Sequence, residues 1–142
     1  MENLPEKLKS AKSFHSHLGP NLVIGLKMGE SMVKRFGNRP FSIKIKAFTG
    51  KEPPVSCVID GLQLSTPATV GNGGIEIAEG GRQEAVALSG GRRLRISLRP
   101  EVRDYITSKL RGAGDREMEE VALEIWEMTE EELFEIDVEG AV

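Results

Sequence analysis

The chain of 142 residues has one cysteine, one tryptophan, one tyrosine and two histidines. A lone cysteine closes no internal disulfide and cannot build a four-cysteine zinc site. No uncharged apolar run approaches the ~20 residues of a membrane-spanning helix, and Met1 to Lys12 is too polar for a signal peptide. These absences predict a reduced, soluble, cytoplasmic protein with no membrane partner. The net charge of −3 gives no general attraction for nucleic acid. The length suits a single domain over residues 1–142, which can bury about two-thirds of its unfolded surface without disulfide or metal.

What is present is strongly patterned. Asn3 stands where it caps a first helix running to about His17, with Pro5 in the first turn and Glu6 completing a capping box. Leu4, Leu8, Ala11 and Phe14 form its apolar stripe. Gly19-Pro20 interrupts the chain, and Pro20 opens a second helix that Gly37-Asn38 stops after about Phe36. Leu22, Leu26, Val33 and Phe36 mark its buried face, while Gly25 and Gly29 allow another backbone to approach. Phe41 to Phe48 alternates as a half-buried strand. Val55 to Ser65 reads as a short helix capped by Ser56. Strands are predicted over 75–78, 84–88 and 93–98, helices over Pro100 to Leu110 and from an Asp115 cap to about Met128, and a last strand near Leu133 to Val138. The sum is an α+β fold, a mixed or antiparallel sheet packed against helices, two of them N-terminal.

Both histidines lie in Phe14-His15-Ser16-His17-Leu18-Gly19-Pro20. Two imidazoles one residue apart share a side only off a regular helix, and the Gly19-Pro20 break makes such a turn plausible. One reading is a pair of metal ligands, imidazole being the commonest for zinc-like ions. The other is a helix-terminal His beside an exposed one. Cys57 falls in the first turn of its helix, where a thiolate is stabilised. Asp60, three residues on, shares that face and suits a proton acceptor or an orienter of ligands. The alternative is a small buried cysteine beside a surface carboxylate. Thr69 to Gly74 is glycine-rich, able to turn backbone N–H groups onto an anion or simply to form the turn before Ile75. Arg92, Arg93, Arg95, Arg99 and Arg103 form a basic cluster, whereas residues 115–139 hold twelve acids and one base. Such opposite patches pair within a fold or across a dimer, and binding of nucleic acid through the arginines is disfavoured.

In their order along the chain, three of these pieces resemble the E-subunit family of formylmethanofuran dehydrogenase. Residues 14–20 resemble its Phe-His-Gly-His-x-Cys-Pro-Gly opening, and Cys57-Val58-Ile59-Asp60-Gly61-Leu62-Gln63 resembles Cys-x-x-Asp-Ala-x-Gln. Thr66 to Ile75 stands where the family has Thr-Gly-Cys-Thr-x-Gly-Lys-Gly-Asn before a strand. The resemblance implies an α+β domain, often a homodimer, with zinc or a similar divalent transition metal held by His15, His17 and Cys57. Asp60 lies beside them as a possible catalytic residue. It also implies a link to one-carbon metabolism of the methanogenesis type, without fixing an activity. Gly19 and Ala68 stand where the family has cysteines, and Asn72 replaces the lysine of the glycine loop. Dithiol chemistry is thereby excluded, and the zinc ribbon that some relatives carry has no counterpart. Two imidazoles and one thiolate leave a fourth position open for water or substrate, as in catalytic zinc sites. The expected ligand is a small anion or carbonyl compound, helped by Thr69, Gly71, Asn72, Gly73 and Gly74. The competing expectation is a degenerate, non-catalytic component or binding module that mediates protein association.

Overall fold

The structure, a computed structural model, describes residues 4–140. The expected cap at Asn3 lies outside them. Helix α1 (Glu6–His15) starts after Pro5, with no side-chain cap on its first turn. It buries Leu8 and Ala11, but Phe14 is 56% exposed and does not join the stripe. Helix α2 (Pro20–Phe36) has the expected bounds, with Gly19 as N-cap and Gly37 donating back to the Val33 carbonyl. A one-turn 3₁₀ helix, Val55–Cys57, leads directly into α3 (Val58–Ser65). Cys57, not Ser56, is the residue before α3, and no side chain caps it, because the chain enters already helical. Helices α4 (Pro100–Leu110), α5 (Asp115–Glu127) and α6 (Glu130–Leu133) complete the set. Gly114 precedes α5, so Asp115 sits inside its first turn, where a carboxylate still favours the helix dipole.

The strands are β1 (Lys44–Ala47), β2 (Ile75–Ile77), β3 (Glu84–Ser89), β4 (Arg92–Leu98) and β5 (Phe134–Glu139). They form one mixed sheet in the order β2-β1-β3-β4-β5, in which β1 and β2 are parallel and the other pairs antiparallel. Alternation explains the two faces. Ile45, Ala47, Ala85, Ala87, Leu94 and Ile96 point into a core shared with Leu22, Leu26 and Val58 of the helices. Lys44, Lys46, Arg93 and Arg95 lie on the opposite face, exposed. Phe41 is the exception to the expected strand: it has a positive φ of 61° in a turn and is 69% exposed.

Helix α2 packs against α3 and α5, and its contact with α3 is backbone on backbone. A Cβ added at Gly25 would lie 2.9 Å from the Cα of Gly61, and one at Gly61 would lie 2.5 Å from the Leu26 nitrogen. Only glycines fit that crossing. It sets Cys57, just before α3, and Asp60, in the first turn of α3, against α2.

The opposite charges of the sequence meet inside the fold. The β4–β5 register places Arg93 against Glu139 and Arg95 against Asp137. Arg82 and Arg95 both clasp Glu84, a carboxylate only 9% exposed. Arg35 of α2 forms a two-pronged pair with Glu130, at 3.0 and 2.7 Å, which the Ser31 hydroxyl joins at 2.7 Å. That guanidinium above all, working against burial and with help from Ser31 and Lys34, holds the Glu130 carboxyl down at about 2 from 4.5.

Candidate functional site

The two histidines meet because α1 ends between them. Ser16 takes a left-handed conformation (φ 84°) and donates its N–H to the Lys12 carbonyl, closing the helix at His15. The chain then turns so that both imidazoles stack, with ring centroids 4.8 Å apart and planes 23° from parallel. Regular helix would have sent them to different sides. His15 is mostly buried at 12% side-chain exposure, whereas His17 is exposed.

Asp60 is the partner that fixes His15: its Oδ2 lies 2.5 Å from Nδ1 of the ring. Gln63, one turn along α3, stands 3.4 Å from the other oxygen of Asp60 and accepts the Val70 N–H on its own Oε1 at 2.9 Å. The first and second motifs are therefore joined by a side-chain contact, and the second is tied to the glycine loop. Cys57 is a free thiol, half-buried. The sequence placed it where a helix would acidify it, but burial, and then the charge of Asp60, push the thiol up instead. Desolvation disfavours the thiolate, and a short helix that follows from a 3₁₀ turn does not offset it.

His15, His17 and Cys57 line one small pocket of about 30 Å³. Gly19, Asn21 and Leu22, from the start of α2, form another wall, and Leu110 and Met118 close the far side. At Gly19 an added Cβ would meet nothing nearer than the His17 Nε2 at 4.0 Å, so the space of the family's cysteine is open. Larger hollows elsewhere contain none of these residues.

The glycine loop is a self-contained turn. Asn72 Oδ1 accepts the N–H groups of Thr69 and Gly74, Thr69 Oγ1 accepts that of Asn72, and the Asn72 side-chain amide donates to the Pro67 carbonyl. The Gly73 and Ile75 amides bond to Val70 and Thr69. With these donors engaged, the turn before Ile75 is the geometry found, with Val70 to Gly73 exposed and Gly74 buried. Sequence reasoning missed Asn21. It is 3% exposed and its Oδ1 accepts from Gln83, 62 positions away. No local pattern announces such a pair.

The family profile described as "FmdE, Molybdenum formylmethanofuran dehydrogenase operon" matches residues 14–135. The chain belongs to the FmdE family. Among solved structures it is similar to a tungsten formylmethanofuran dehydrogenase FmdE-like protein from Syntrophus aciditrophicus, at 20% identity and a TM-score of 0.62. That likeness spans 96% of this chain and 72% of the other and concerns the fold. No curated protein matches. Membership raises the question of a metal. Two imidazoles and a thiol on one pocket are the donor types a zinc-class ion takes, and a carboxylate on the far nitrogen of a ligating His is the usual support for one. Among the described residues, however, no three His, Cys, Asp or Glu side chains stand together as a ready-made metal group. The donors fit the ion by chemistry, and the structure holds them close without preassembling them. No helix among the described residues is long and apolar enough to cross a membrane.

Proposed function

We propose that this FmdE-family chain binds one zinc-class divalent ion in the pocket lined by His15, His17 and Cys57. The observation that carries the reading is their meeting on one pocket from two distant motifs, with Asp60 on the Nδ1 of His15. Asp60 fixes the ring and directs its Nε2 to serve as the donor. His17, exposed beside it, supplies a second imidazole, and Cys57 a thiolate once its proton leaves. When bound, the ion supplies Lewis-acid polarisation of a carbonyl or carboxylate oxygen at a position the protein leaves free. Leu22, Leu110 and Met118 restrict water around that position.

Zinc titration by calorimetry, with metal content measured on the purified chain, tests the site. His17→Ala and Cys57→Ser should each weaken binding at least tenfold without unfolding the protein. Metal content unchanged by both substitutions would sink the site. In that event the second reading applies: a non-catalytic module acting through protein association. Its support is the lack, among the described residues, of a preassembled metal group.

A further inference from the structure

The core lies against one face of the sheet, and the other face is open to solvent. Strand register arranges that open face in rows. Glu76, Lys46, Val86, Arg95 and Asp137 stand across one row, and Lys44, Leu88, Arg93 and Glu139 across the next. Each row runs from base through apolar to base, with acids on the outer strands. The middle strand β3 thus carries an apolar ridge, on which Leu88 is 50% exposed, and β1 and β4 flank it with two cations each. A shallow hollow of about 470 Å³ lies over Lys44, Lys46, Val86, Leu88 and Arg93.

The cations are not used up within the face. Among the described residues Lys44 pairs with no carboxylate, Lys46 reaches Glu76 only at 3.9 Å, and Arg93 reaches Glu139 only at 3.4 Å. Exposed pairs of that kind stabilise little and yield to a better-placed anion. Arg95 shares the single carboxylate of Glu84 with Arg82, which leaves one positive charge over.

We infer that this face is a docking surface for an acidic amphipathic helix of a partner protein, its apolar stripe on Val86 and Leu88 and its acids on the cations to either side. The spacings agree. Adjacent strands are about 4.8 Å apart, so β1 and β4 stand about 10 Å from each other, which is the width of a helix. Two residues along a strand advance about 6.6 Å, and four along a helix about 6 Å. Acids at i and i+4 on one flank therefore meet Lys44 and Lys46, and a second such pair meets Arg93 and Arg95. Two lines of charge so far apart exceed the reach of one small anion. A second copy of this chain, laid centre on centre, would set cation against cation. A nucleic-acid strand finds no open ring to stack on, because Phe48, the one aromatic of the hollow, lies under Lys46 and Arg82 at 5.8 and 5.1 Å from its centre. The acids on the outer strands also repel a phosphate backbone crossing the rows. None of these residues lines the histidine pocket, so the docking surface stands apart from the metal reading.

The probe is a synthetic helix of about five turns, with a leucine stripe flanked on both sides by glutamates at i and i+4. Beside it stand the same helix with lysines for glutamates and a scrambled acidic peptide. Calorimetry at about 0.15 M salt should show saturable binding of the acidic helix, and binding of the other two weaker by about tenfold or more. Leu88→Glu and Lys44→Glu should each weaken the acidic helix by about tenfold or more, with Tm and zinc affinity unchanged, since both side chains are exposed. No binding of the acidic helix, equal binding of the scrambled peptide, or wild-type affinity in both variants would overturn the inference. A dimer in sedimentation that Leu88→Glu dissociates overturns it by assigning the face to a second copy. A single-stranded RNA that binds the face more tightly than the helix overturns it in favour of nucleic acid. Helix binding intact in a chain that takes up no zinc supports it, while refuting the metal reading.

Discussion

Gly61→Ala tests the crossing that builds the pocket. On an unobstructed helix this change is favourable by about 1 kcal/mol, because alanine restricts the unfolded chain and suits the helix. Here the new methyl would stand 2.5 Å from the Leu26 nitrogen and 2.7 Å from the Gly25 carbonyl carbon. Ordinary contact begins near 3.4 Å, so α2 and α3 must part by about 1 Å. Both obstructing atoms are helical backbone, which cannot rotate aside. Overpacking of this kind costs about 1–3 kcal/mol, and lost contacts along the separated helices place the result at the upper end. After subtraction of the propensity gain, we expect a net loss of about 2 kcal/mol, or a fall in Tm of about 5–10 °C for a chain of this size. Thermal unfolding by circular dichroism reads it, with Gly71→Ala as control, since the nearest atom to a Cβ there is Thr69 Oγ1 at 3.9 Å. The same parting moves Cys57 from the histidines, so zinc affinity should fall with stability. A Gly61→Ala protein as stable as the wild type or more so would refute the argument, because helix propensity would have outweighed the contact.

Three shorter predictions concern single groups. Asp60→Asn removes the charge that orients His15 and should weaken zinc binding about 10–100-fold by calorimetry, with Tm changed little. Glu130 has its carboxyl lowered to about 2, so its contribution is complete above about pH 4.5 and lost as pH falls towards 2. Undamped, that difference is about 3 kcal/mol, and screening at 19% side-chain exposure reduces it to about 1–2 kcal/mol. Urea midpoints of wild type and Glu130→Gln should therefore differ by that amount at pH 6 and converge near pH 2. A gap independent of pH would show that the pair does not titrate as described. Asn72→Ala removes the acceptor of the Thr69 and Gly74 amides, and hydrogen exchange at those two should accelerate at least tenfold while core strands are unchanged.

The parts of this fold written in local chemistry were legible in the sequence. Pro20 and Gly37 mark α2 to the residue, and period-two alternation gives β3 and β4 because each has one buried face. The errors arose where a tertiary or neighbouring demand overrode the local signal. Phe41 continues an apolar alternation, yet the chain is still turning there. Ser56 looks like a cap, but a 3₁₀ turn delivers the chain already helical and leaves the cap nothing to do. Helix α6 carries a complete capping box, Thr129 with Glu132, masked by the run of acids in which it sits. For the site, each motif was readable by itself, but only the resemblance to the family set the histidine turn beside Cys57 and Asp60. The contacts His15–Asp60 and Asn21–Gln83 join residues 45 and 62 apart and had no local signature. The lowered thiol pKa expected from position was reversed by burial, which sequence position does not reveal.

Helix α2 has the mechanics of a lever. Its 17 residues make a rod about 25 Å long, with Asn21 at one end and the Ser31–Arg35 grip on Glu130 near the other. Lys27 fastens the middle to the Trp126 carbonyl at 3.0 Å, and Gly25 gives the fulcrum on α3. With the fulcrum at Gly25, Asn21 lies about 6 Å from the pivot, so a tilt of about five degrees is needed to displace it by about 0.5 Å, enough to spoil a hydrogen bond. The Arg35–Glu130 pair near the far end of α2 and the backbone crossing at Gly25 thus hold the helix whose first residues line the pocket. Substitutions at Glu130 or Arg35 belong among those that retune the site.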